Sequence, residues 1–254
     1  MRKKLLVSIF SMLLLLVACS NNEEAKDQKV DKVEESTAEE NSTQPEMPEP
    51  NLENVPDVVA EVNGEEVSKE EFEMTYKGQF QQALMQAQMT GQELDQDQLK
   101  SQVADALIAQ KLVIQEAGKS GYEASKEDIN KTIDSIVEQN GLKSQDEFFA
   151  ALKEQGMGKE EVLSQVETQI KVDKLIASKA GDIEPTKEEL QALYDSYKTQ
   201  HEQANGEKSE KQKVPSYEEM ESSLKEQAKS NKQIEVYQAL VEELKADADI
   251  TINL

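Results

Sequence analysis

The sequence predicts a mostly α-helical domain closed by a small two-stranded sheet that pairs strands from the N- and C-terminal ends of its ordered region. Three observations carry this. Apolar residues recur at three- and four-residue steps through most of the chain after position 68; Ser or Thr with an acidic residue three positions on punctuates those stretches; convincing strand patterns occur in only two short runs. The 254 residues are 37% hydrophobic and 4% aromatic with no Trp, which implies a modest, aliphatic core. Lys+Arg 28 against Asp+Glu 52 gives a net charge of -24, which repels phosphate and argues against a nucleic-acid partner. With one His and one Cys there is no disulfide framework, zinc site or Cys/His nucleophile pair, so no metal or cofactor is expected.

The chain opens with Arg2, Lys3 and Lys4 ahead of an apolar run from Leu5 to Val17. That run is too short for a typical membrane span and reads as a signal peptide over residues 1–18. It ends in Leu16-Val17-Ala18-Cys19, which resembles the bacterial lipobox. The resemblance implies a diacylglycerol thioether on Cys19 and attachment to the extracytoplasmic face of the cell membrane. Residues 19–57 are rich in Glu, Ser, Asn and Pro with almost no apolar periodicity. They read as an acidic tether, spanning roughly 35 Å as a flexible coil.

Val58–Val62 is a β-branched strand ending at the turn dipeptide Asn63-Gly64. Ser68 and Glu71 form a capping-box pair, followed by a helix with Phe72, Tyr76, Phe80, Ala83, Leu84 and Ala87 on one face. Met85 and Met89 lie one turn apart near its end; such pairs usually fill a core, and otherwise offer an adaptable surface to varied partners. The most apolar helical run is Leu99 to Ala117, with Leu99, Val103, Ala106, Leu107, Gln110, Ile114 and Ala117 along one face and Ile108, Leu112 and Val113 widening it. A helix so broadly apolar has to be enclosed by its neighbours. Ser125 with Asp128 starts another helix ending near Asn140-Gly141. Ser144 with Glu147 starts a short one stopped at Gly156, and a third runs from Lys159 to about Lys179 before Gly181. Thr186 with Glu189 caps a segment carrying Leu190, Leu193, Tyr194 and Tyr197. Residues 198–213, which include His201, read as a polar linker. Pro215-Ser216 then opens a last helix, and Ile250 to Leu254 alternates like a half-buried strand.

From Val58 to about Ala180 the order of these features resembles the N-terminal chaperone domain of the SurA and PrsA-type extracytoplasmic foldases. The resemblance rests on VVAEVNGEEVSKEEF, on the helix ending in Gln115-Glu116-Ala117 before Gly121, and on the turn-and-cap segment from Gly141 to Phe148. It implies a helical chaperone domain over residues 58–197, completed by a helix and strand over residues 214–254. In those relatives a parvulin isomerase domain follows; here the 198–213 linker stands in its place, so no prolyl isomerase residue is carried over. The expected function is a membrane-anchored holdase or foldase for unfolded or folding secreted proteins. Phe72, Tyr76, Phe80, Met85 and Met89 are the candidate client-binding surface. Two alternatives remain open: an isomerase-family lipoprotein that keeps folding activity, and a structural envelope lipoprotein with one defined partner.

Overall fold

A computed structural model describes residues 48–181, 183–205 and 214–254. Cys19, the expected signal peptide and most of the expected tether lie outside the described residues, as do residues 206–213 of the expected linker. The elements run β1 (Val58–Val62), β2 (Glu65–Ser68), α1 (Lys69–Thr90), α2 (Gln96–Lys119), α3 (Lys126–Gln139), α4 (Gln145–Glu154), α5 (Lys159–Ala180), α6 (Lys187–Asn205), α7 (Tyr217–Asp247) and β3 (Ile250–Ile252).

The expected pairing of the two ends is present, since β3 runs antiparallel to β1 with Ala60 opposite Ile252 and Val62 opposite Ile250. The sheet is three-stranded, however, in the order β2-β1-β3. Asn63 and Gly64 take φ of 52° and 81°, the two positive values that a tight hairpin turn requires, and so fold Glu65–Ser68 back onto β1. The polar run Glu65-Glu66 hides this strand from a hydrophobicity reading, because only Val67 on it is buried. Around the turn, Asn63 N–H donates to Asp249 O at 2.8 Å and Asp249 N–H donates to Asn63 Oδ1 at 3.0 Å. The Asn63 amide donates to Gln115 Oε1 at 2.8 Å, and Gln115 Nε2 donates to Val62 O at 3.0 Å. One turn residue thus ties both ends of the fold to α2.

The boundaries shift in two places. Packing begins before Val58: Val55 is only 5% exposed, Leu52 rests on the same core, and Gln96 holds Asn51 N–H and Glu49 O at 2.7 and 3.0 Å. Two apolar residues that composition assigned to the expected tether thus pack on the domain. Residues 198–205 are not linker but the last turns of α6, where His201 sits beside the Tyr197 ring with centroids 5.8 Å apart.

The central helix is enclosed as expected. Leu99, Val103, Ala104, Leu107, Ile108, Ala109, Leu112, Val113 and Ala117 of α2 are buried, while Ala106 is exposed and Gln110 and Ile114 are half-buried. The covered stripe is therefore rotated from the one that spacing suggested. One end of α2 joins the sheet and α1 in one cluster, and the other meets α5 and α7 through Val172, Leu175, Leu240 and Val241. Helices α3, α4 and the first half of α5 enclose a separate core around Ile133, Phe148 and Val166. The start of α7 pairs with α6 over Leu190, Leu224 and Ala228.

Candidate functional site

The candidate surface is carried by α1, whose start is fixed locally. Ser68 Oγ accepts from Glu71 N–H at 3.3 Å while the Glu71 carboxylate accepts from Ser68 N–H at 2.8 Å, satisfying amides that a helix start leaves without partners. The other end stops at Gly91, which takes a left-handed φ of 69° and returns its N–H to Ala87 O.

Between these caps the five expected residues divide. Phe72, Tyr76 and Phe80 are fully buried, their rings stepping along the helix with centroids 5.9 and 6.0 Å apart, inside the cluster formed with Val59, Val62, Val103, Leu107 and Ile108. The Tyr76 hydroxyl donates to Gln96 Oε1 at 2.8 Å. Its pKa is pushed up by burial and, secondarily, by the negative charge of Asp97, so it stays a neutral donor. These three side chains are core and offer nothing to a partner. Met85 and Met89 are the opposite case, 65% and 84% exposed. At 3.6 residues per turn they lie about half a turn around the helix from the aromatic stripe, so no core element reaches them. The core-filling reading of this methionine pair is therefore overturned.

The ground around the methionines is neutral. From Gly78 to Gln92 there is not one charged residue, in a chain that is 31% charged. The exposed face of this stretch presents Met85 and Met89 among Gln81, Gln82, Gln86 and Gln88. An apolar segment lying on it desolvates thioethers and amides instead of ions, which costs far less. The uncharged run is a sequence signal that marks this surface without reference to the fold. No group of three or more His, Cys, Asp or Glu among the described residues is arranged to hold a metal ion. No helix among them is long and apolar enough to cross a membrane.

This is a helical domain sealed by a sheet made from both of its ends, with an uncharged methionine face on its first helix. Residues 48–176, just over half of the chain, match the SurA-like N-terminal domain family, and the chain belongs to that family. Among curated proteins it is 29% identical over 160 residues to the foldase protein PrsA of Clostridium perfringens (strain SM101 / Type A), covering 58% of this chain and 45% of the relative. It is 28% identical over 150 residues to the PrsA of Caldanaerobacter subterraneus subsp. tengcongensis, covering 56% and 43%. The chain thus spans under half the length of these curated relatives. A solved structure from the report on the virulence factor PEB4 and the periplasmic protein Cj1289, two structurally related SurA-like chaperones of Campylobacter jejuni, aligns with a TM-score of 0.45 at 12% identity. That alignment covers 78% of this chain and 99% of the other.

Proposed function

We propose that this protein is an extracytoplasmic chaperone that binds unfolded or folding secreted polypeptides, held to the membrane by a lipid on Cys19, and that it acts by binding without catalysis. The observation that carries the reading is the pair Met85 and Met89, exposed on an uncharged helical face within the segment that matches the SurA-like family. Unbranched thioethers repack at little cost, which suits a surface that must accept many sequences. The family membership and the PrsA foldase relatives support the same reading.

The test is suppression of aggregation for several unrelated unfolded clients. The wild-type chain is expected to protect them, and Met85→Gln/Met89→Gln to protect them less while its stability changes by no more than about 0.5 kcal/mol, as for other exposed sites. Full protection by the double variant would remove the methionine face from the mechanism. A single stoichiometric partner recovered from intact envelopes, with no general protection, would favour an envelope scaffold instead. For the anchor, Cys19→Ser is expected to allow export but abolish lipid attachment, because no other nearby side chain supplies a thiol. Mass spectrometry of the mature N-terminus decides it, and an unmodified Cys19 there would refute the anchor.

A further inference from the structure

Strand β3 lies at one side of the sheet, where among the described residues it pairs only with β1. The hydrogen bonds Asn63 N–H to Asp249 O and Asn253 N–H to Val59 O fix the alternation of the ladder. Residues 249, 251 and 253 turn their backbone groups toward β1, so Ile250, Ile252 and Leu254 turn theirs outward. No hydrogen bond among the described residues engages those outward groups. Beside this edge lies a cleft of about 590 Å³ between the segment before β1, the first half of α2 and the end of β3. Ile252 and Leu254 line it while 52% and 46% exposed.

Charge selects among the possible occupants. Glu53, Asp97 and Asp105 line the cleft against Lys100 alone. Lys100 lies 3.6 Å from Asp97, and Lys245, outside the lining, lies 3.4 Å from Asp105; three carboxylates against these two lysines leave a net negative rim on a chain of -24. A second copy of the chain would bring the same negative charge against it, and residues 20–47 of the chain itself are acidic. We infer that the β3 edge and its cleft bind an extended polypeptide segment in which lysine or arginine alternates with β-branched apolar residues, the segment adding itself as a fourth strand. Its backbone pairs with the outward groups of Ile250 and Ile252. Its cationic set turns into the cleft, where the methylene stems cover Ile252 and Leu254 and the charged heads meet Glu53, Asp97 and Asp105, and its β-branched set falls on the other face of the sheet beside Thr251 and Asn253. This site uses backbone pairing, not the methionine face, and so does not depend on the reading above.

The experiment measures binding of a fluorescent ten-residue peptide of alternating Val and Lys to the full chain by anisotropy. Three comparisons accompany it: the same peptide N-methylated at every second backbone nitrogen, its Val/Glu counterpart, and the Ile252→Pro chain. Proline at Ile252 removes an outward donor and leaves the β1 ladder intact. N-methylation and Ile252→Pro are each expected to weaken binding about tenfold or more, since both delete edge hydrogen bonds. The Val/Glu peptide is expected to bind at least about as weakly, because like charges meet in the cleft. The N-methyl comparison keeps the protein wild-type, so it stands even if the proline chain misfolds. Equal affinity for the methylated peptide, equal affinity for the Val/Glu peptide, or a concentration-dependent dimer that the Val/Lys peptide does not dissociate would overturn the inference.

Discussion

Asp128 shows how much a single capping residue can be asked to do. It sits at the third position of α3, where one carboxylate oxygen accepts from Ser125 N–H at 3.1 Å and from Lys174 Nζ at 2.7 Å. Lys174 also donates to Glu123 O at 2.9 Å, so this cluster fastens the start of α3 to α5. The Lys174 hydrogen bond first, and those from Ser125 next, lower the Asp128 pKa from 3.8 to about 2. A carboxyl whose pKa is depressed on folding contributes stability above its unfolded value and loses it as the pH falls through the folded one. Urea midpoints should therefore drop for the wild-type chain as pH falls from above 3.8 toward about 2. Asp128→Asn should start lower and show less of that dependence. Parallel pH profiles for the two chains would show that the cluster adds nothing to stability. Both groups are well exposed, so the effect is expected to be small and to shrink with salt.

At the scale of the element, α1 combines two requirements that pull apart. Its aromatic stripe holds the sheet to α2, and its opposite face is left bare. Phe72→Ala leaves a cavity among Val and Leu side chains and is expected to cost about 3–5 kcal/mol in chemical denaturation. A change below about 1 kcal/mol would mean that the ring lies outside the packed interior. The arm of α6 and the start of α7 has a thinner core, with Tyr194 set edge-on to Tyr217 at 5.6 Å and its hydroxyl donating to Pro215 O at 3.0 Å. Glu184 pairs with Lys229 and Glu189 with Lys232 of α7, fastening the first turn of α6 and the chain just ahead of it to the long helix.

For the whole molecule, the joining of both ends in one sheet makes a specific pattern of amide exchange. Thr251 and Asn253 face β1 and should exchange slowly, whereas the Ile252 amide points to the free edge and should exchange fast despite lying between them. Protection at Ile252 with rapid loss at Thr251 would mean that β3 is shifted by one residue, which would also turn Ile252 away from the cleft.

The sequence by itself determined where α1, α3, α4 and α7 begin and where α1 ends. Ser68, Ser125, Ser144 and Ser216 cap through their own side chains and Gly91 takes the left-handed turn that stops α1, interactions that span only a few residues and need no distant partner. The uncharged run from Gly78 to Gln92 is equally legible, and the 3.6-residue period already separates Met85 and Met89 from the aromatic stripe. Only the tertiary structure decided that Phe72, Tyr76 and Phe80 lie inside, that the acidic Glu65–Ser68 run is a strand, and that no described residue pairs with the outer edge of β3. A side chain is buried, and a strand edge satisfied, only when another element arrives to cover it. For this domain those elements come from positions as far apart as Val59 and Ile252, a separation that no local pattern records.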